Sequence, residues 1–231
     1  MERKKLVVLT GAGMSAESGI STFRDSGGLW DRYPVNDVAT PEGFARNPAL
    51  VLDFYNQRRK QLLEVEPNDG HRGLADLQSY FDVDIVTQNV DNLHERAGSE
   101  KVLHLHGELM KVRSCGPGAE VFDVLPDKIE VNLGDLCPKG YQLRPHIVWF
   151  GEAVPEFERA VSIVSKADIL VIIGTSMQVY PAAGLIHYVK KNVPVFLIDP
   201  NEVQVDTSVH YISKGASEGV KELTDILLEK I

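Results

Sequence analysis

Six short runs rich in Val, Ile and Leu constrain this fold more than any other feature of the chain. They are LVVL at 6–9, VDIVTQ at 83–88, KVLHLH at 101–106, HIVWF at 146–150, ILVIIG at 169–174 and VPVFLI at 193–198. A strand with one wet face alternates apolar and polar residues. Runs without that alternation are expected to be buried on both faces, as in a parallel sheet covered by helices. Segments of helical period lie between them, at 48–64, 73–80, 155–166 and 182–191. A last one at 217–230 sets Val220, Leu223, Ile226 and Leu227 on one stripe. The alternation predicts an open α/β fold, a parallel sheet with helices on both faces. Two stretches break it. Residues 31–72 are strand-poor and mostly helical, and residues 107–145 are rich in Gly, Pro and Asp with weak periodicity. Both are expected to be insertions forming a small lobe beside a domain built from 1–30, 73–106 and 146–231.

The 231 residues carry 24 Lys and Arg against 33 Asp and Glu, a net charge of −9. An acidic surface attracts neither phosphate backbones nor anionic lipids, so no nucleic-acid or membrane partner is expected. Two cysteines make no disulfide framework, which suits a reducing compartment. MERKK leads straight into the first run and leaves no room for the apolar segment of a signal peptide. The apolar runs are too short to cross a bilayer. A cytoplasmic protein is expected, and a monomer.

TGAGMSA follows the first run and sets Gly11, Gly13 and Ala16 in the pattern G-x-G-x-x-A. Such a turn brings backbone N–H groups and a helix N-terminus to a pyrophosphate. The same pattern also serves a tight strand-to-helix turn that binds nothing. A dehydrogenase would place an acid at the tip of the next strand about 20 residues on. None occurs there: the nearest acid, Asp31, sits in a Gly–Trp loop, and the acid-tipped run VFLIDPNEV, with Asp199, Asn201 and Glu202, comes much later. The run at 83–88 empties into Gln88, Asn89, Val90 and Asp91. Polar residues beyond the carboxyl end of a parallel strand are placed to read a carboxamide or a ribose. One of them is explained as a helix cap, not all three polar ones. VLHLHG ends with His104 and His106, which strand alternation puts on one face. His106 stands before Gly107 at the exit, where an imidazole of ordinary pKa, about 6.5, serves as a base at neutral pH.

GAGMSAESGISTFR, TQNVDNLHERAG, HLHG, RPHIVWFGE and GTSMQVYPAAG, in that order, resemble the sirtuins, the NAD-dependent protein lysine deacylases, in their bacterial form. The resemblance covers nearly the whole chain. It implies a Rossmann-like large domain and a small lobe made of two insertions. It also implies that 11–30 holds NAD through Gly11, Ala12, Gly13, Ala16, Ile20 and Trp30, with Phe23 shielding the ribose and Arg24 positioning the cofactor. Gln88 would touch the ribose. Asn89, Val90 and Asp91 would line the nicotinamide pocket. Gly174, Thr175 and Ser176 would meet the phosphate and ribose region, Asn201 and Glu202 the adenosine ribose, and Ala216 the adenine. His106 would be the catalytic base, with Asn89 next in importance. The implied reaction breaks the nicotinamide–ribose bond and leaves free lysine, nicotinamide and O-acyl-ADP-ribose. A mono-ADP-ribosyltransferase shares the first bond cleavage, and a non-catalytic NAD or ADP-ribose sensor shares the binding site.

Tyr55 and Arg58 stand three apart in DFYNQRRKQ, hence on one helix face. Arg58, Arg59 and Lys60 also read as a solvated basic patch. A Y-x-x-R in this insertion resembles the sirtuin branch that removes succinyl and malonyl groups, where the guanidinium pairs with the distal carboxylate. Succinyl- and malonyl-lysine are the expected substrates, with acetyl-lysine weaker or comparable. An extended protein segment bearing the acyl-lysine is expected between Val148, Phe150 and Gly151 on one side and GTSMQVYP on the other. One departure from the family concerns zinc. CGPG and CPKG keep Cys115 and Cys137 but place Gly118 and Gly140 where partner cysteines belong. Two thiolates fall short of a four-ligand site, so no zinc is expected. The lobe is then expected to be held by Val121, Phe122, Val124, Leu125, Ile129, Val131 and Leu133. Ser21 replaces the usual Pro and leaves the cofactor loop less rigid.

Overall fold

The computed structural model describes residues 3–20, 32–125, 127–175, 182–201 and 209–229. In chain order these contain β1 (Lys5–Thr10), α1 (Gly13–Ala16), α2 (Val35–Val38), α3 (Pro41–Arg46), α4 (Pro48–Glu64), α5 (Asp69–Asp76), β2 (Asp82–Thr87), α6 (Leu93–Arg96), β3 (Val102–His104), β4 (Gly107–Ser114), β5 (Val121–Asp123), β6 (Leu143–Ile147), α7 (Phe157–Val164), β7 (Ile169–Ile173), β8 (Val195–Ile198), β9 (Val209–Ile212) and α8 (Ala216–Leu228). Short 3-10 turns sit at Leu77–Ser79 and Ala182–Tyr188.

Six strands form one sheet in the order β3-β2-β1-β7-β8-β9, all parallel. The unbroken apolar runs are explained by what covers the sheet. In β1 and β7, Leu6, Val8, Val171 and Ile173 face one core with Leu74 of α5 and Val220, Leu223 and Leu227 of α8. Their neighbours Val7, Leu9, Leu170 and Ile172 face a second core with Ala160 and Val164 of α7 and Leu185 of the 3-10 turn. Both faces are dry, so neither needs polar residues. Segment 182–191, expected to be helical, winds only as that 3-10 turn.

HIVWF does not join the parallel sheet, contrary to expectation. Its start completes β6, which runs antiparallel to β4 in a three-stranded sheet of order β5-β4-β6. An apolar run of five residues carries no information about its partner strand. β4 itself lies in the stretch read as weakly periodic. Its buried residues Gly107, Leu109, Val112 and Ser114 lose strict alternation at an irregularity between Gly107 and Val112, which hides the strand pattern. The apolar residues proposed to hold this region divide. Val124 and Val131 are buried with Leu52 and Val112, and Phe122 and Ile129 pack against them. Val121, Leu125 and Leu133 are exposed instead.

α4 spans the residues its period predicts. The Asn47 side chain accepts the Leu50 N–H at its start, and Pro48 takes the first helical position, where no N–H is needed. Its inner face joins Val51, Phe54, Tyr55 and Leu62 to Leu93, Leu109, Ile147 and Trp149. This third core fastens the helical insertion to the exits of β2 and β6.

Candidate active site

The sheet changes direction between β1 and β7: β2 and β3 lie on one side, β8 and β9 on the other. Ligands of open α/β sheets bind at such a switch point, beyond the carboxyl ends of the strands. Three adjacent exits meet there. They carry Gly11–Gly13 after β1, Gln88–Asp91 after β2, and Gly174 with Thr175 after β7.

The glycine turns lock together backbone to backbone. Gly11 N–H donates to Ile173 O at 3.0 Å and Gly13 N–H to Gly174 O at 2.9 Å. A Cβ on Gly13 would stand 2.6 Å from Gly174 Cα. One on Gly174, whose φ is +60°, would stand 2.4 Å from Met14 N. Contact between the two turns therefore demands glycine before any ligand does, and the Gly11 and Gly13 amides are committed within the protein. Ala12 is half-buried, and Ala16 is exposed. Ile20 packs against the third core.

Asn89 and Asp91 are pinned by one serine. Ser15 Oγ donates to Asp91 Oδ2 at 3.0 Å, and Asn89 Nδ2 donates to Ser15 Oγ at 3.1 Å and to Gly11 O at 2.9 Å. Among the described residues Asn89 Oδ1 is left as an acceptor. Asp91 Oδ1 takes the Leu93 N–H at 3.2 Å. Burial pushes the Asp91 carboxyl above its ordinary range, against the Leu93 and Ser15 hydrogen bonds and the charge of Arg58. Gln88 Nε2 donates to Thr175 Oγ1 at 3.1 Å and ties the β2 exit to the β7 exit. Val90 lends its carbonyl to Leu109 N–H at 2.7 Å.

Both histidines face the 88–89 backbone. His104 Nδ1 pairs with Asn89 O at 2.9 Å and its Nε2 with Glu95 Oε1 at 2.7 Å. Burial works against its charge, but Glu95 wins and its pKa rises. Both nitrogens are spent, so His104 is a strut. His106 is only half-buried, and its Nδ1 pairs with Gln88 O at 3.1 Å. A carbonyl only accepts, so Nδ1 carries the proton and Nε2 keeps its lone pair. Burial lowers the His106 pKa, partly offset by Gln88 O. The neutral ring is thus the form present at neutral pH, as a base requires.

Tyr55 is 1% exposed and receives the Trp149 indole N–H at 2.9 Å. The Arg58 guanidinium lies beside it, Cζ 5.9 Å from the Tyr55 centroid and 5.9 Å from that of Phe54. The basic-patch expectation fails at Arg59, which is fully buried. Arg59 donates to Leu109 O and Asn56 Oδ1 at 2.8 Å each. Lys60 is exposed and pairs with Glu130 at 2.5 Å. Val148 N–H donates to His106 O at 2.9 Å and Phe150 N–H to Ala39 O at 3.0 Å, so the 148–150 segment runs beside the candidate base. Phe150 is 49% exposed and Gly151 has a φ of +90° with open space where a Cβ would be.

Asn201 is exposed and bonds Asp199 Oδ1 through its backbone N–H and side chain. Ala216 begins α8 and is buried. Phe23, Arg24, Trp30, Ser176 and Glu202, with Ser21 and most of GTSMQVYP, lie outside the described residues. Sequence reading missed Ser15, Glu95 and Trp149. Ser15 lies within the quoted glycine turn, but nothing local distinguishes it from a helix-start serine. Cys115 is exposed and Cys137 buried, and both are free. Cys137 Sγ lies 3.3 Å from Ser114 Oγ. Among the described residues no three His, Cys, Asp or Glu side chains gather as a metal site. Nor is any helix among them long and apolar enough to cross a membrane.

The profile described as the Sir2 family matches residues 11–181. A protein of Bacteroides thetaiotaomicron, named NAD-dependent protein deacylase, is 63% identical over 230 residues, covering 97% of this chain and 98% of the relative. A solved Sir2 homologue mutant in complex with ADP-ribose superposes with a TM-score of 0.89 at 38% identity, covering 99% of this chain and 94% of that one. A Sir2 homologue–NAD complex superposes with a TM-score of 0.87 at 39% identity, over 99% and 91% of the two chains.

Proposed function

The chain belongs to the Sir2 family, and from that premise we propose that it strips succinyl, malonyl and acetyl groups from protein lysines, using NAD as co-substrate. NAD-dependent protein deacylation is the activity of the class. The range of acyl groups is the finer part of the proposal. The observation that carries it is Tyr55 and Arg58 side by side on α4, the guanidinium 5.9 Å from the centre of a buried phenol ring, with Arg58 close enough for its charge to act on Asp91.

The donor set at the switch point fits a dinucleotide. Gln88 and Thr175 bring an amide and a hydroxyl, hydrogen-bonded to each other, to the place proposed for a ribose, and Asn89 Oδ1 can accept from a carboxamide N–H. Phe23, Arg24, Trp30, Ser176 and Glu202 are proposed as further contacts on the strength of the family pattern. Bound NAD supplies a ribose carbon with a cationic pyridine leaving group, and the reaction yields nicotinamide and the O-acyl-ADP-ribose ester. The residues of this chain supply position and a base. His106, neutral and held through Nδ1, takes a proton at Nε2. The 148–151 segment lies against the His106 carbonyl and is proposed as one wall for an extended substrate peptide. Holding an amide oxygen in line and away from bulk water lowers the barrier for a nucleophile this weak. Arg58 and Tyr55 would receive the distal carboxylate of an acidic acyl group. Its pairing strengthens where water is scarce.

The proposed division gives NAD residues 1–30, 73–106 and 146–231, and assigns 31–72 and 107–145 to the small lobe. β6 crosses that border, which joins the lobe to the site by continuous chain. Two cysteines with Gly118 and Gly140 at the partner positions do not fit a four-ligand zinc, and the Val112–Val124–Val131 cluster is proposed to hold the lobe in its place. A cytoplasmic monomer remains the proposed setting. The deciding experiment is mass spectrometry on matched succinyl-, malonyl- and acetyl-lysine peptides with NAD, following deacylated peptide and the ADP-ribose ester. Turnover confined to acetyl-lysine would remove the acidic-acyl part. Protein-bound ADP-ribose without ester would replace deacylation by transfer, and NAD binding without nicotinamide release would leave a sensor.

A further inference from the structure

Trp149 lies two residues beyond β6, is 2% exposed, and donates its indole N–H to the Tyr55 oxygen at 2.9 Å. An indole nitrogen can only donate. The Tyr55 oxygen therefore accepts at this contact, and its own proton must point elsewhere. Among the described residues no acceptor takes it. Burial raises the Tyr55 pKa, against the charge of Arg58 and the Trp149 hydrogen bond, so the phenol keeps that proton at neutral pH.

The indole is itself clamped. The Arg144 guanidinium lies 3.3 Å over its ring. Arg144 is held by Glu152 through Nη1 at 2.8 Å and Nη2 at 3.1 Å, and by Ile147 O at 3.0 Å. Glu152 also accepts the Trp149 backbone N–H at 2.8 Å and the Arg113 guanidinium at 2.8 Å. Backbone, ring face and ring nitrogen of one residue are thus fixed from three directions. A clamp of that kind is more than core packing needs, since a Phe would fill much of the same space.

We propose that Trp149 is a positioning residue for acyl specificity, turning the Tyr55 hydroxyl so that its proton faces the distal carboxylate of an acidic acyl group beside Arg58. This rests on the acidic-acyl reading above. A hydroxyl already aimed at a charged acceptor forms a charge-assisted hydrogen bond without first being reoriented. An acetyl group has no carboxylate to receive it. The effect therefore belongs to succinyl and malonyl substrates, and to their binding more than to the chemical step.

Trp149→Phe keeps an aromatic ring under Arg144 and removes the N–H. Steady-state kinetics on succinyl- and acetyl-lysine peptides of one sequence, for Trp149→Phe, Tyr55→Phe and the double variant, make the test. The succinyl-to-acetyl ratio of kcat/KM should fall about tenfold in Trp149→Phe, mainly through the succinyl KM, a shift of about 1.4 kcal/mol. The double variant should fall no further than Tyr55→Phe alone. Equal losses on both peptides, or losses that add in the double variant, overturn the positioning role. Should Trp149→Phe not fold, Trp149→His keeps a ring N–H. A ratio above that of Tyr55→Phe supports the role, and one equal to it overturns it. A wild-type protein inert toward succinyl-lysine, or a ratio untouched by Tyr55→Phe, sinks the acidic-acyl reading itself, a result distinct from failure of Trp149 alone.

Discussion

His104 and His106 stand two residues apart, and their partners divide the chemistry between them. His104 is closed at both nitrogens by Asn89 O and Glu95, while His106 is held at one and, among the described residues, open at the other. Because burial lowers the His106 pKa from its ordinary 6.5, the acid limb of deacylation should lie below that value, with turnover level through neutrality. A kcat profile titrating above 6.5 would assign the base elsewhere. His106→Ala should cut turnover at least about a hundredfold and spare NAD binding, as measured by ester formation and calorimetry. Arg58→Met should reduce desuccinylation much more than deacetylation. Equal losses would take Arg58 out of the specificity argument. Tyr55 and Arg58 were legible because helical spacing of three puts them on one face. Ser15 and Trp149 were not, because their partners Asn89 and Tyr55 lie 74 and 94 residues away along the chain. No local pattern reports a contact of that range.

Elements meet at this site through backbone, not only through side chains. The β1 and β7 exits touch so closely that Gly13 and Gly174 leave no room for a Cβ. Gly13→Ala should force the turns apart, cost about 1–3 kcal/mol as overpacking does, and abolish nicotinamide release. Thermal melting and release assays on one preparation check both. An unaltered melting temperature with lost release would return Gly13 to a role in ligand contact alone. The G-x-G pattern was readable, but its cause was not: the glycines answer to a strand exit more than 150 residues on, as their bonds to residues 173 and 174 show. α4 was legible to its ends because cap, Pro and period agree. β4 was hidden by an irregularity, and β6 by an apolar run that suits either sheet.

Across the whole molecule, buried neutral imidazoles tie its acid stability to its fold. His71 and His94 meet edge to face at 4.8 Å, and both are almost wholly buried. His71 is pushed down to about 4 by burial first and by Arg72 second. Burial likewise holds His94 well below its ordinary value. The unfolded chain binds these protons first, so the stability they confer is present above about 6.5 and lost as pH falls from there through 4. For His71 alone this is on the order of 3 kcal/mol. His104 acts in the opposite sense: its raised pKa gives stability below 6.5 that fades as pH rises through the folded value. A melting temperature that stays flat between pH 6.5 and 4 would contradict the larger effect. Chelation should leave both melting temperature and deacylation unchanged, because the apolar cluster of the small lobe is proposed to stand where a metal would. Loss of either on adding chelator, restored by zinc, would refute that.

Period, glycine spacing and unbroken apolar runs are properties of neighbouring residues. They were enough to establish the open α/β architecture, the α4 boundaries, the strand-exit polar residues and the two-thiol deficit. Which sheet the 146–150 run enters, which arginine of 58 and 59 is swallowed, which of two histidines keeps a lone pair, and which way a phenol points were decided only by packing. Each depends on the neighbour that a distant segment supplies, and burial and hydrogen-bond direction have no meaning until that neighbour is in place.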